Sequence, residues 1–227
     1  MQKISKTRIW RIEPLPESPF ALLHGAKYWP PVFKDEDVLN RDEAMHIEFV
    51  PSSLEVAEFT WVWGMNVCIP FQIAEELKQF SGWEPLSTYM VKTKDKSRTR
   101  PTVPFPYDGP ELKVLWVTHW VTMNEVWSTF MRRQPEPGLP DIEFYGIEEC
   151  ETKWDPDTDE VELIHKKREP GKGIFVEKGD LGNCDFFRIR QWPGAMMCTD
   201  RVRDFAIKKG YRNVMFLEAG DVIEDAE

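Results

Sequence analysis

Two stretches of the chain share one pattern, and this repetition limits the available folds more than any other feature. In each stretch a cysteine is followed by apolar side chains at helical spacing, then by a glycine–aromatic pair, then by a strand-like segment. The first covers residues 68–91 with Gly82 at the break, and the second covers residues 198–217 with Gly210. Because glycine after the last periodic residue is typical of a helix end, each stretch predicts a strand–helix–strand unit. A degenerate duplication and a chance repetition of a common passage both fit the pattern.

Most of the remaining sequence favours extended structure. Residues 4–12 alternate as an opening strand, and residues 141–190 contain short strand-like segments separated by turns, which is typical of an antiparallel meander. Residues 154–160 are expected to form a hairpin loop in it. A further helix is predicted over Thr122–Arg133, because three apolar side chains would share one face.

The sequence therefore predicts an α+β fold, with a mixed, mainly antiparallel sheet and about three helices. Two strand–helix–strand units would lie around a central β-hairpin region. Two domains are predicted. Residues 1–134 would form an N-terminal α+β half, and residues 135–227 would form a β-meander plus a helix–strand unit. The same pattern also fits one continuous domain, since 227 residues lie near the upper end of a single domain.

Charge narrows the partners that the chain can bind. It carries 39 acidic and 29 basic residues, a formal net charge of −10, which repels nucleic acid and anionic membranes and attracts basic proteins. The apolar stretches at residues 59–69 and 114–121 are about half the ~20 residues of a membrane span. No apolar segment follows the basic first residues, so no signal peptide is expected. We expect a soluble, cytoplasmic protein.

The residues that usually carry out catalysis or bind metals lack the necessary spacing. The cysteines are Cys68, Cys150, Cys184 and Cys198, and the histidines are His24, His46, His119 and His165. None forms a close metal-binding pair, and the chain has neither a nucleophile elbow nor a phosphate-binding loop. Cys198 precedes a predicted helix, where a thiolate is stabilised, but its apolar neighbours favour a buried thiol. The sequence predicts no catalytic residue, no metal and no cofactor.

A dense acidic segment is the candidate binding surface. Asp155, Asp157 and Asp159 have the alternate spacing of a calcium loop, but Glu160 and Lys166 occupy the positions that need glycine and glutamate. The acids either project into water from a hairpin or form an anionic ridge for a basic partner. On the second hypothesis, the partner-binding residues are Glu148, Glu149, Glu151, Trp154, Asp155, Asp157, Asp159 and Glu160.

The C-terminal quarter resembles a known family. Residues 197–205 read Met-Cys-Thr-Asp-Arg-Val-Arg-Asp-Phe, and residues 209–216 read Lys-Gly-Tyr-Arg-Asn-Val-Met-Phe. This passage is similar to the end of the eleventh numbered family of immunity proteins from bacterial polymorphic toxin systems. The resemblance transfers no catalytic residue. It implies a small cytosolic protein, encoded beside a toxin, that binds the toxin domain and blocks it.

The prediction is thus a non-catalytic immunity protein that neutralises a cognate toxin domain, expected to be basic, by direct occlusion. Two alternatives remain. One is an enzyme whose site is assembled from distant loops, with His24, His119 or Cys198 beside a carboxylate. The other is an adaptor that binds peptides along exposed sheet edges. The sequence does not predict the oligomeric state.

Overall fold

A computed structural model of the protein describes residues 4–16, 18–27, 45–49, 55–62, 66–93, 102–134, 142–158 and 160–224. In chain order the strands are β1 (Ile4–Glu13), β2 (Leu23–Lys27), β3 (Met45–Phe49), β4 (Thr60–Val62), β5 (Asn66–Pro70), β6 (Trp83–Thr93), β7 (Thr102–Pro104), β8 (Leu112–Val117), β9 (Trp120–Val121), β10 (Phe130–Arg132), β11 (Ile142–Phe144), β12 (Glu149–Asp155), β13 (Glu160–Lys166), β14 (Ile174–Glu177), β15 (Phe186–Ile189), β16 (Trp192–Thr199) and β17 (Met215–Ile223). The helices are α1 (Phe71–Leu77), α2 (Lys178–Leu181) and α3 (Asp200–Lys209). The predicted α+β class, with mixed and mainly antiparallel sheets, is confirmed.

The first sheet closes on itself. Its strands follow one another in the order β6, β8, β5, β4, β2 and β3, and β3 pairs with β6 again. The β4–β2 and β3–β6 pairs are parallel, and the other pairs are antiparallel. Strand β7 pairs with the far end of β6. Helix α1 connects β5 to β6, which lie on either side of β8.

The second sheet repeats this arrangement with other segments of the chain. Its order is β17, β1, β16, β15, β9 and β14, with parallel β15–β9 and β14–β17 pairs and antiparallel neighbours elsewhere. An antiparallel bridge between Met123, just after β9, and Val176 in β14 closes it. Helix α3 connects β16 to β17, which lie on either side of β1. Strands β1 and β9 precede residue 134, so the two sheets do not divide the chain there.

Helices α1 and α3 pack against a core between the two sheets. Ala74 and Leu77 of α1, and Val202 and Ala206 of α3, are buried, because apolar residues at helical spacing fall on one face. The shared core also contains Trp10, Trp61, Trp83 and Phe186, whereas alternate residues of the strands form separate cores on the opposite faces of the sheets. Each sheet is therefore buried on both faces.

The helix predicted over Thr122–Arg133 is wrong. Asn124 begins a turn there, since its Oδ1 atom accepts hydrogen bonds from the backbone N–H groups of Val126 and Trp127 at 3.0 and 3.2 Å. Val126 is 91 % exposed, and Phe130 already begins strand β10. Bonds of this kind also cap the start of a helix, but the chain leaves the helical path after one turn. The N–H of Thr129 donates to the carbonyl of Gly173 at 2.9 Å, and Phe130 pairs with Phe144 of β11. The apolar spacing therefore does not decide the structure here.

Two smaller features complete the described structure. The short helix α2 occupies a connection between β14 and β15. Strand β17 continues to Ile223 because its backbone pairs with β1 and β14. Within the described ranges, no helix has the length and apolar character that crossing a bilayer requires.

Candidate protein-binding surface

Strands β12 and β13 form a hairpin that stands apart from both sheets. The two strands pair only with each other in the described structure, from Glu149 opposite Lys166 to Asp155 opposite Glu160. From Glu151 to Lys167, every side chain that is described is exposed. The outer part of this hairpin is therefore surrounded by solvent on both faces, although isolated two-stranded hairpins are marginal in water.

The two faces of the hairpin differ in chemistry. Directly opposed residues share a face, and successive residues alternate between faces. One face carries Cys150 and His165 near the base, and its outer part, called here the apolar face, consists of Thr152, Trp154, Val161 and Leu163. Trp154 is 59 % exposed and Leu163 is 56 % exposed. Exposed aromatic and aliphatic side chains in one cluster are typical of a protein-binding surface.

The opposite face carries charges of both signs. Lys153 lies opposite Glu162, and Lys166 lies opposite Glu149, with 3.9 Å between Lys166 Nζ and Glu149 Oε2. Glu151 lies opposite Ile164. The cross-strand lysines partly neutralise the acids, so the predicted anionic ridge is not one uniformly negative surface. Its negative charge is concentrated toward the turn.

Glu148 anchors the first strand of the hairpin to β17. Its backbone N–H donates to the carbonyl of Glu218 at 2.8 Å, and its Oε2 accepts from the N–H of Glu218 at 2.5 Å. Its Oε1 lies 2.8 Å from His165 Nε2, on the facing strand. The Glu148 side chain is only 14 % exposed, so this predicted partner-binding residue is turned inward and holds the hairpin in place.

Arg168 anchors the second strand, just beyond β13. Its Nη1 lies 2.9 Å from Glu218 Oε1, its Nη2 lies 2.5 Å from Asp221 Oδ2, and its Nε donates to the carbonyl of Lys172 at 2.7 Å. Burial lowers the pKa of Arg168, but hydrogen bonds to the two carboxylates outweigh this and raise it overall. Hydrogen bonds between charged groups are stronger than neutral ones. Glu148 and Arg168 therefore hold both strands at the base of the hairpin.

The structure brings some predicted residues together and separates others. Glu149 and Glu151 lie on the charged face, Trp154 lies on the apolar face, and Asp157 is exposed in the turn. Asp159 lies outside the described residues, as do the side chains of Asp155 and Glu160. Sequence reasoning missed Val161 and Leu163, although period-two alternation across the predicted hairpin places them beside Trp154.

Two residues of the enzyme alternative have side chains in the described part of the chain. Cys198 is fully buried in β16, and burial, followed by the carboxylates of Asp200 and Asp185, raises its thiol pKa well above the ordinary value. It is the buried thiol that its neighbours favoured. His119 has its Nε2 3.1 Å from the carbonyl of Asp180. His24 belongs to β2, but its side chain lies outside the described residues.

Within the described ranges, no three side chains among histidine, cysteine, aspartate and glutamate are grouped to hold a metal ion. No protein-family model matches this chain, and no curated protein compared with it matches either.

Proposed function

We propose that the protein binds another protein through the β12–β13 hairpin and acts as an immunity protein, blocking a cognate toxin domain stoichiometrically. The observation that carries the proposal is the exposed apolar face of a hairpin held firmly at its base. An anchored hairpin loses little conformational entropy on binding, and this preorganisation favours affinity. The similarity of the C-terminal quarter to an immunity family supports the choice of a toxin as partner.

Charge supports a basic partner. The net charge of −10 and the acids around the hairpin turn favour approach of a cationic protein, because complementary potentials accelerate association. The apolar face then supplies the contact that excludes water. A stable complex needs about 800 Å² of buried surface on each partner, so surfaces beside the hairpin also take part.

The test uses two neighbouring residues on opposite faces of β13. The full chain is mixed with the toxin domain encoded beside its gene, and affinity is measured by calorimetry. We expect Leu163→Ser to weaken binding about tenfold or more, whereas the matched Ile164→Ser variant stays near the wild-type value. Charge reversal of Asp157 should slow association without a comparable change in dissociation.

Two outcomes contradict the proposal in different ways. If Ile164→Ser weakens the complex and Leu163→Ser does not, the binding face is wrong. If the purified chain forms no complex with the toxin domain and co-expression gives no protection, the immunity function itself is wrong. Thermal unfolding of both variants checks that they fold.

The peptide adaptor is a second candidate, because the outer edges of the hairpin have no strand partner within the described residues. An added peptide strand would be held by main-chain hydrogen bonds. Binding by that mode is insensitive to Leu163→Ser and tolerant of many peptide sequences, which separates it from toxin occlusion.

A further inference from the structure

A cavity of about 360 Å³ opens between the two sheets. Ile12 of β1 and Met196 of β16 line it from the second sheet, and Trp61 of β4 lines it from the first. Leu22, just before β2, and Trp192, at the start of β16, also belong to the apolar lining. These elements are different from the hairpin and its anchor on β17, so the cavity goes beyond the proposed function.

One acidic residue belongs to the lining of this apolar space. Glu13 lines the cavity at the end of β1, and its Oε1 lies 3.0 Å from Nε of Arg11. The guanidinium of Arg11 lies 5.2 Å from the centre of the Trp192 ring. Burial raises the pKa of Glu13, and the charge of Arg11 partly opposes this. The described residues donate no hydrogen bond to Oε2 of Glu13, which leaves an acceptor at the cavity.

The balance of charge decides which ligand the cavity accepts. Glu13 and Arg11 already neutralise each other, so a cationic amine beside Glu13 meets the like charge of Arg11, and an anionic ligand meets Glu13. A neutral hydroxyl or ring N–H instead donates to Oε2 and disturbs neither charge. Hydrogen bonds to a charged acceptor are stronger than neutral ones.

The size and lining of the cavity define the rest of the ligand. Ligand sites usually span about 300–1,000 Å³, so this cavity holds a small molecule of one or two rings. Trp61 and Trp192 are the aromatic residues of the lining, and flat rings pack against aromatic side chains in offset or edge-to-face geometry. We propose that the cavity is a binding site for a small, neutral aromatic molecule whose hydroxyl or ring N–H donates a hydrogen bond to Glu13.

The test uses 2-naphthol as the probe and the full chain as the protein, with calorimetry and saturation-transfer NMR as readouts. We expect saturable binding, with one molecule bound per chain. In 2-methoxynaphthalene the donor is removed and the rings are kept, so we expect its affinity to be about tenfold lower.

Two matched substitutions locate the site. Leu22→Trp fills the cavity and should weaken 2-naphthol binding about tenfold or more. Leu15→Trp introduces the same side chain at an exposed position outside the lining, and should leave binding unchanged. If Leu22→Trp fails to fold, the comparison of the two naphthalene probes on the wild-type chain still decides the role of Glu13.

Three results would overturn the inference. These are the absence of saturable 2-naphthol binding up to about 1 mM, which corresponds to roughly −4 kcal/mol, equal affinities for the two probes, and undiminished binding to folded Leu22→Trp. None of them bears on the hairpin, because toxin binding is measured separately.

Discussion

The two sheets have the same strand order and the same strand directions, but they obtain their middle strand from different parts of the chain. In the first sheet, β8 follows β6 along the chain and inserts between β5 and β6. In the second sheet, the equivalent place between β16 and β17 is filled by β1, the first strand of the protein. The sheet therefore specifies a place for a strand, and either a near or a distant segment of the chain can fill it.

The largest expected effect comes from removing the distant strand. Deletion of residues 1–15 takes away Ile9, Trp10 and Ile12, all buried, and burial of such side chains contributes roughly 1.5–3 kcal/mol each. It also leaves β16 and β17 without their shared partner. Because whole domains are stable by only about 5–15 kcal/mol, we expect the second sheet not to form.

Hydrogen exchange measures this directly. In the truncated chain, amides of β16 and β17 should lose protection, and a synthetic peptide of residues 1–15 should restore it, whereas a scrambled peptide should not. Protection of β16 and β17 in the truncated chain without any peptide would show that the second sheet does not depend on β1.

Gly82 and Gly210 lie at equivalent places in the two sheets, after α1 and α3. Both have positive φ, 91° at Gly82 and 69° at Gly210. A Cβ atom on Gly82 would lie 2.0 Å from the carbonyl oxygen of Phe186, whereas one on Gly210 meets nothing within 4 Å. We expect Gly210→Ala to cost about 1 kcal/mol from backbone strain alone, and Gly82→Ala about 2–4 kcal/mol because overpacking is added.

Urea unfolding of the two variants under identical conditions checks this order. If the two substitutions lower the free energy of unfolding equally, α1 can move away from the second sheet without penalty. The close contact between Gly82 and β15 would then have no role in stability.

Local pattern was sufficient to predict much of the fold. Apolar spacing and the glycine stops predicted both strand–helix–strand units. Alternation predicted β1, and the turn residues at 154–160 predicted the β12–β13 hairpin. The positions of β1 and β8 within the sheets were not predictable, because pairing between distant strands leaves no local signal. The false helix at residues 122–133 has a similar cause, since Thr129 and Phe130 bond to Gly173 and Phe144, which lie farther along the chain.

The candidate site was predicted in part. The sequence placed acids and Trp154 together because they are close along the chain. It did not reveal that Glu148 faces inward, because this depends on Glu218 in β17, seventy residues away. The cavity beside Glu13 was equally hidden, since β1, β4 and β16 meet only in the folded chain.

The smallest expected effect concerns the ion pair between Arg212 and Glu58, which lie next to strands of different sheets, and it depends on pH. Arg212, after α3, donates to Glu58, before β4, from Nε at 2.9 Å and from its backbone N–H at 2.9 Å. Burial alone would raise the pKa of Glu58, but the hydrogen bonds from Arg212 outweigh it and lower the pKa overall. A carboxylate with a lowered pKa stabilises the fold above the unfolded-state pKa, about 4.3 for glutamate. This contribution is lost as pH falls through the folded-state pKa.

Glu58→Gln should therefore cost about 0.5 kcal/mol at pH 7, a small value because solvent screens the pair, and almost nothing near pH 3. Denaturant unfolding at both pH values measures the difference. Arg212→Leu should abolish the same pH dependence, and Glu58→Gln in that background should then change little, since the partner is already absent. If Glu58→Gln lowers the free energy of unfolding equally at the two pH values, its effect comes from packing. The charged contact between Arg212 and Glu58 would then contribute nothing to stability.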